Sequence, residues 1–195
     1  EWTEATDEND KNLLAHFYED KNRWAYTFQN YAFITRSRNL LDSLNEQRKK
    51  IFNKGILEMI YDLFNNKKTI IFTERSTLTD RYVFADMLHS SGNINNLEWT
   101  MYMAWYDLFK TSLNIDHVIY LKTDPEKSYQ RVSKRARDEE SNISKNYLTD
   151  LHNKHEEWLN NQPNVLTLNG NLEFEDNEGN TLNLLNKINR YIDMM

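Results

Sequence analysis

Three short apolar runs, separated by segments with helical periodicity, constrain the fold of this chain more than any other feature. They lie at residues 69–72, 117–121 and 164–169 and are rich in Ile, Val and Leu. Such runs are typical of strands buried in a parallel sheet, and the helices between them provide the crossovers that parallel strands need. The sequence therefore predicts a single α/β domain over residues 1–195, with a parallel sheet flanked by helices.

The segments between these runs predict the helices. Residues 12–39 predict two helices, the first ending near Asp20, and an amphipathic run then covers residues 40–64 with an interruption at Gly55. Residues 97–109 are apolar on several sides, which is typical of a helix packed against a sheet or a partner chain. Three more helices are expected, over residues 126–140, 147–160 and 182–194.

The composition excludes two classes of partner. With 24 basic and 30 acidic residues the formal net charge is −6, so the chain is not built to bind a nucleic-acid backbone. No apolar segment approaches the ~20 residues of a membrane helix, and the first residues lack a signal-peptide pattern. Without cysteine there is no disulfide, zinc-thiolate site or thiol nucleophile. We expect a soluble protein without nucleic-acid or membrane partners, with the cytoplasm as the favoured compartment.

Charged residues follow the first apolar run directly. Glu74 and Arg75 stand where the predicted strand ends, and Asp80 and Arg81 follow closely. Ligands of open α/β sheets bind just beyond the carboxyl ends of the strands, so these charges indicate a binding or catalytic site. The alternative is a solvated ion pair that closes the strand.

A second charged cluster lies downstream. Arg131 and Arg135 are spaced i,i+4 in the predicted helix 126–140, which places both guanidinium groups on one helical face. Guanidinium groups bind phosphates through planar donors and a permanent charge. The alternative is a helix laced by salt bridges to its own acidic residues 138–140.

The order and spacing of these motifs resemble those of the deoxyribonucleoside kinase family, which contains deoxycytidine, deoxyguanosine and insect multisubstrate deoxynucleoside kinases. The resemblance implies a three-layer P-loop kinase fold. It also implies transfer of a phosphoryl group from ATP or another nucleoside triphosphate, with Mg²⁺, to the 5'-hydroxyl of a deoxynucleoside. The matching residues are Trp24, Phe28, Gln29, Arg36, Glu74, Arg75, Ser76, Asp80, Arg81, Tyr82, Glu98, Trp99, residues 131–140, His155, Glu156 and Trp158.

The resemblance implies roles for residues on the acceptor side. Arg75 would hold the 5' end of the deoxynucleoside and stabilise developing charge, and Glu74 would orient the metal ion or the attacking hydroxyl. Gln29 would pair with the base edge, because a side-chain amide offers a donor and an acceptor in one plane. Tyr18 and Glu140 resemble the pair that grips the sugar 3'-hydroxyl.

On the donor side, the resemblance makes Arg131, Arg135 and Arg137 the lid arginines that close over the donor phosphates. The first two would act as catalytic residues together with Glu74 and Arg75. Residues 169–174 resemble the segment that contacts the donor base, against which Phe174 would stack.

Arg36 and Asp80 bear on the choice of base. In the family an arginine and an aspartate at these places accompany kinases for deoxycytidine and the deoxypurines rather than thymidine. The alternative is that Arg36 and Asp80 form a structural ion pair under the base and do not contribute to base selection. Deoxycytidine or a deoxypurine is therefore the expected substrate, with a thymidine-preferring kinase as the alternative.

The chain departs from the family at its beginning. The family opens with a strand and a Gly-x-x-x-x-Gly-Lys-Ser/Thr loop that cradles phosphates. The four glycines here, at positions 55, 92, 170 and 179, form no such loop. The family motif Glu-Pro-x-x-x-Trp is also incomplete, and either Trp2 is its last residue or Glu1 its first. We expect the missing parts to precede Glu1; an intact mass equal to that of these 195 residues would contradict this.

Rival functions remain open from the sequence. One is a catalytically inactive nucleoside-binding module that kept the fold without the phosphate loop. Another is a metal-dependent hydrolase, suggested by His152, His155 and Glu156, because two histidines three residues apart can share a helical face, although a third ligand at suitable spacing is not evident. Family members usually form dimers through helices, so the aromatic segment around Trp99 and Trp105 is a candidate homodimer surface.

Overall fold

The computed structural model describes residues 5–64, 69–137, 140, 143–174 and 176–195. Within these ranges the chain forms nine α-helices, one π-helical segment and two strands. The helices are α1 (Leu13–Glu19), α2 (Lys21–Phe52), α3 (Ile56–Phe64), α4 (Thr77–Thr79), α5 (Asp86–Ser90), α6 (Asn96–Phe109), α7 (Pro125–Arg135), α8 (Lys145–Leu159) and α9 (Glu178–Asp193); the strands are β1 (Val118–Lys122) and β2 (Val165–Asn169). The π-helical segment, Asp80–Ala85, joins α4 to α5.

The sheet confirms two of the three predicted strands. β1 and β2 pair in parallel, in a register that sets Val118 opposite Val165 and Lys122 opposite Asn169. The connection between them contains α7 and α8, as a parallel pair requires. At the end of β2 the amide of Gly170 donates to the carbonyl of Lys122 at 2.7 Å. A Cβ at Gly170 would lie 2.9 Å from that carbonyl oxygen, so only glycine fits this close approach.

The predicted strand at residues 69–72 is wrong. The structure assigns no strand to these residues, and Ile70 and Phe72 are largely exposed. A strand forms only where a neighbouring segment supplies ladder hydrogen bonds, and within the described ranges no segment pairs with this one. The apolar composition indicates a preference for extended structure, but that preference alone does not make a strand.

The helix boundaries follow local capping signals. Asp20 ends α1 and begins α2, where its side chain accepts a hydrogen bond from the amide of Arg23 at 3.1 Å. This confirms the predicted break, and the interruption at Gly55 separates α2 from α3. The helix predicted over residues 126–140 ends earlier, at Arg135, because Ala136 takes a left-handed conformation with φ 50°.

The remaining helical predictions hold with shifted ends. α8 covers most of the predicted segment 147–160, and α9 begins at Glu178, four residues before the predicted start at Leu182. The earlier start follows from Asn177, whose side chain accepts from the amide of Asn180. Within the described ranges, every helix is too short or too polar to cross a bilayer.

The core consists of three clusters of buried side chains that meet around the π-helical segment. Phe17 of α1 stacks on Phe28 of α2 with ring centroids 4.8 Å apart, in the first cluster. Ala85 belongs to the second cluster and Val83 to the third, where it packs with Trp158 of α8. The third cluster also includes side chains of both strands. The π-helical segment therefore fixes α2, α6, α8 and the sheet relative to one another.

α6 has a buried face and an exposed face. Tyr102 and Tyr106 are buried against α2, where Tyr102 meets Phe33 edge-on at 5.8 Å. Trp99 also packs within the chain, stacked on His89 at 4.5 Å. The exposed face carries large apolar side chains at helical spacing: Leu97, Met101, Trp105 and Leu108. The segment thus packs against a helix rather than a sheet on one side, and the other side is open.

Candidate active site

The centre of the site is a buried ion pair between α2 and the π-helical segment. Ser76 caps α4 by accepting from the amide of Thr79, and the chain then widens into the π-helical turn at Asp80. Asp80 is fully buried and its Oδ1 accepts a hydrogen bond from Nη1 of Arg36. Burial raises the pKa of Asp80, and the adjacent Arg36 guanidinium opposes that shift. π-helical turns are frequent at functional sites.

Two buried oxygens next to this pair have no hydrogen-bond partner among the described residues. They are Oε1 of Gln29, whose residue is 2 % exposed, and Oδ2 of Asp80. Gln29 and Arg36 project from one face of α2, because their spacing of seven residues is two helical turns. A buried acceptor without a donor costs about 1–3 kcal/mol. The arrangement is therefore suited to a ligand that brings hydrogen-bond donors.

The predicted sugar-binding residues also lie together. Burial and the charge of Glu140 raise the pKa of Tyr18 to about 12, and Tyr18 contacts Tyr147, with ring centroids 6.3 Å apart. Tyr18 therefore stays protonated at physiological pH and can donate a hydrogen bond. Glu140 is almost completely buried and accepts from Nε and Nη2 of Arg135 at 3.0 and 2.6 Å. The arginine holds the carboxylate in one orientation.

Glu74 and Arg75 line the open side of the site. Arg75 has a left-handed backbone conformation, with φ 59°, which costs a non-glycine residue roughly 1–2 kcal/mol and is concentrated at functional sites. Its guanidinium lies 5.0 Å from the ring centre of Phe84. Glu74, Arg75 and Arg36 share one cavity of about 290 Å³, so the predicted acceptor residues of separate segments converge.

The donor-side residues divide between two partners. Arg131 donates to the carbonyls of Gly170 and Leu172 at 2.6 and 3.0 Å, and its guanidinium lies 5.7 Å from the ring centre of Phe174. Arg135 instead pairs with Glu140. Arg137 is exposed beyond the end of α7. The structure thus brings Arg131 and Phe174 together, while Arg135 binds Glu140 instead. The alternative of salt bridges within residues 138–140 holds for Glu140, while Asp138 and Glu139 lie outside the described residues.

The comparisons with known proteins agree with this geometry. The deoxynucleoside kinase family matches residues 1–193. The chain belongs to the deoxynucleoside kinase family. It is 39 % identical to the probable deoxycytidine kinase of fowlpox virus, a match that covers 93 % of this chain and 72 % of the viral protein. It is 35 % identical to deoxycytidine kinase 1 of Xenopus laevis, over 94 % of this chain and 69 % of that protein.

A third relative is named for a different nucleoside. The mitochondrial deoxyguanosine kinase of Xenopus laevis is 32 % identical, with 93 % of this chain and 68 % of that protein matched. Membership of the deoxynucleoside kinase family confirms the α/β P-loop kinase fold and the phosphotransferase class predicted from the sequence. It also implies a nucleoside acceptor and a nucleotide phosphoryl donor.

The rival metal-hydrolase site is not supported. Within the described ranges no group of three or more His, Asp or Glu side chains is placed to hold a metal ion. Nδ1 of His152 lies 3.2 Å from the carbonyl of Thr123, Nδ1 of His155 lies 2.7 Å from that of Leu151, and Glu156 pairs with Lys122. Mg²⁺ in kinases uses one or two carboxylates together with substrate phosphates, and the exposed carboxylate of Glu74 fits that need.

Two tyrosines that lie near the candidate site residues are not among those predicted from the sequence. Tyr147 of α8 packs against Tyr18, with the Lys21 amine 4.1 Å from its ring centre. Tyr102 of α6 is completely buried, and burial, followed by the negative charge of Asp80, raises its pKa. Helical periodicity places both tyrosines in helices and gives no sign of a contact with the site. Their hydroxyl groups are the available signal, because the hydroxyl of a buried tyrosine usually has a hydrogen-bond partner.

The buried pair predicts an unusual pattern of stabilities. Asp80→Ala is expected to lower the free energy of unfolding by about 3–5 kcal/mol, since it removes one member of a largely buried ion pair. Arg36→Met combined with Asp80→Ala is expected to recover most of that loss. Urea unfolding followed by circular dichroism measures both. The control is Asp42→Ala, which removes an exposed pair with Arg38 at 3.9 Å and is expected to change stability by less than about 1 kcal/mol. An equal loss in the single and double variants would contradict the interpretation.

Proposed function

We propose that this chain provides the acceptor-binding half and the lid of a kinase that phosphorylates the 5'-hydroxyl of deoxycytidine or a deoxypurine nucleoside, with ATP or another nucleoside triphosphate as donor. The observation that carries the proposal is that Oε1 of Gln29 and Oδ2 of Asp80 are buried and have no hydrogen-bond partner among the described residues, while the other Asp80 oxygen accepts from Arg36. The deoxycytidine and deoxyguanosine kinases among its relatives support the same substrate class.

The hydrogen-bonding edges of the bases favour this choice over thymidine. Cytosine presents an exocyclic amine that donates, whereas thymine presents a carbonyl oxygen and a methyl group at the same edge. The free oxygen of Asp80 accepts and cannot donate while the carboxylate is ionised. A thymine carbonyl there would face a carboxylate oxygen, and both groups would remain unpaired. The same position accepts a hydrogen bond from an amine.

The phosphoryl-transfer chemistry divides between the open side of the cavity and the lid. Arg75 would hold the 5' end of the nucleoside and stabilise charge there, and Glu74 would orient the attacking hydroxyl and serve Mg²⁺. Arg131, Arg135 and Arg137 would bind the donor phosphates, with Phe174 against the donor base. Catalysis of this kind depends on positioning and on neutralising charge. The 195 residues contain no Gly-x-x-x-x-Gly-Lys loop, so the phosphate cradle is not part of this proposal.

The first test measures base selectivity. All four deoxynucleosides are offered together with ATP, and the products are separated by chromatography. We expect deoxycytidine or a deoxypurine to be phosphorylated preferentially, and Arg36→Met with Asp80→Ala to shift the product ratio toward thymidine monophosphate by at least about tenfold, the effect of about 1.4 kcal/mol. The matched control replaces the exposed pair instead, as Arg38→Met with Asp42→Ala. An unchanged ratio in the site variant would refute the role of the pair.

The second test separates chemistry from binding at Arg75. Arg75→Gln is expected to lower kcat by about 10²–10³, the usual effect of removing one donor that stabilises developing charge. Deoxynucleoside affinity, measured by isothermal titration, is expected to change far less. Arg38→Gln, on the exposed side of α2, serves as the control. A parallel loss of affinity and kcat would assign Arg75 to ground-state binding alone.

An inactive nucleoside-binding module is the second candidate. It would bind the nucleoside through the same acceptor-side residues and would need no phosphate loop. Titration with deoxycytidine followed by a phosphorylation assay on the same sample separates the two: heat without product supports the module, and heat with product supports the kinase.

A homodimer through α6 is also proposed. Leu97, Met101, Trp105 and Leu108 form an exposed apolar stripe on this helix, and stripes of this kind are typical of helix-to-helix interfaces. Sedimentation equilibrium is expected to give a dimer, and Leu108→Asp is expected to give a monomer because it would bury a charge. Leu182→Asp, at an exposed position of α9, is the control. A dimer unaffected by Leu108→Asp would place the interface elsewhere.

A further inference from the structure

Tyr102 lies at the junction of the three elements that build the base-binding end of the site. Its side chain has no exposure to solvent. The ring stacks on Trp99 at 5.9 Å and meets Phe33 of α2 edge-on at 5.8 Å, in the same cluster as Ala85 of the π-helical segment. The aromatic packing therefore leaves the ring no freedom to carry the hydroxyl to solvent.

The Tyr102 hydroxyl has no hydrogen-bond partner among the described residues. The charged groups around it are Asp80, Arg36 and Arg81, and the Tyr106 hydroxyl also faces it. Burial, and then the negative charge of Asp80, raise the pKa of Tyr102, so the hydroxyl keeps its proton. A protonated phenol is a hydrogen-bond donor. Leaving it unpaired in the core costs about 1–3 kcal/mol.

Asp80 offers the complementary group. Its Oδ1 is taken by Arg36, and its Oδ2 is buried without a partner. A carboxylate oxygen has two lone pairs, so Oδ2 can accept from Tyr102 and from a ligand amine at the same time. Two buried polar groups that do not touch directly can be bridged by a single water, provided that the site has room for it and offers it two to four hydrogen-bond partners.

We propose that Tyr102 is a positioning residue for Asp80: its hydroxyl is linked through one water to the carboxylate oxygen that Arg36 leaves free. The inference rests on the proposed function, because it concerns how Asp80 reads a nucleobase. With Arg36 holding one oxygen and Tyr102 the other, the carboxylate cannot rotate. Its remaining lone pair then points in a fixed direction, toward the exocyclic amine of a bound base.

The link matters because the backbone at Asp80 is less regular than in an α-helix. Asp80 opens the π-helical turn, and mid-helix departures of this kind are associated with local adjustment at functional sites. A side chain on such a turn needs support from neighbouring elements. Arg36 supplies it from α2, and Tyr102 supplies it from α6.

The test is a double-mutant cycle with Tyr102→Phe and Asp80→Asn, read first by titration with deoxycytidine. Tyr102→Phe keeps the ring and removes only the hydroxyl. It is expected to weaken binding about tenfold in the wild-type background, the usual effect of losing one hydrogen bond to a charged group. In the Asp80→Asn background it is expected to change affinity by less than about twofold. Equal losses in both backgrounds, or no loss, would overturn the proposal.

The matched control is Tyr106→Phe. Tyr106 is a buried tyrosine one turn further along α6, and its ring meets Tyr82 edge-on at 6.4 Å. Its hydroxyl has no assigned part in base binding, so deoxycytidine affinity is expected to remain within about twofold. A loss equal to that of Tyr102→Phe would show a general effect of core hydroxyls and would count against the proposal.

The same cycle read by urea unfolding without nucleoside separates this inference from the proposed function. If the wild-type chain binds no deoxynucleoside, the proposed function fails, yet the unfolding midpoints still report whether Tyr102 and Asp80 interact. Non-additive midpoints support the link, because distant, unconnected residues contribute additively. Additive midpoints overturn it. If the midpoints are non-additive but Tyr102→Phe leaves the affinity for deoxycytidine unchanged, the positioning role is overturned.

Discussion

The buried ion pair between Arg36 and Asp80 is the interaction on which the rest of the structure depends. A charge in a protein interior is tolerated only with a partner of opposite charge or with several hydrogen bonds. Asp80 is fully buried, so separating α2 from the π-helical segment would leave this carboxyl group in the interior without the Arg36 guanidinium. Since Val83 and Ala85 of that segment belong to two core clusters, the requirement at one carboxylate fixes the packing of the whole helical layer.

The second buried carboxylate follows the same rule with a different consequence. Glu140 is held by Arg135, the last residue of α7, which directly precedes the left-handed residue Ala136. The end of α7 is thereby tied to the neighbourhood of Tyr18. Arg131, one helical turn earlier, is tied to the loop after β2. One short helix thus connects the proposed sugar site with the proposed donor site, and movement of that helix would act on both.

Local signals accounted for most of what the sequence predicted correctly. The Asp20 boundary and the two paired strands depend on nearby side chains and on β-branched runs, and both are visible in the sequence. The strand at residues 69–72 failed because pairing is not local: Ile70 and Ile71 prefer extended structure, but a ladder needs a neighbour. The predicted end of the helix 126–140 is wrong because an alanine gives no sequence signal for the left-handed backbone conformation found at Ala136. Among site residues, the convergence of Arg36, Glu74 and Arg75 on one cavity follows the family resemblance. The surroundings of the Tyr102 hydroxyl could not be predicted in this way, because helical periodicity predicts that the ring is buried but not what its oxygen contacts.

The π-helical turn explains how one segment can serve both the core and the site. In an α-helix, side chains three and four residues apart share a face, so Asp80 and Ala85, five apart, would diverge. In a π-helix the hydrogen bonds run between residues five apart and each turn is wider than in an α-helix, so residues five apart come closer to one side, here the side that meets α2. Ala85 then packs with Phe33, while Asp80 reaches Arg36 less than one turn further along the same helix. A regular α-helix could bury either the alanine or the aspartate against α2. The wider turn buries both, which places the carboxyl group that we propose contacts the base inside a packed core.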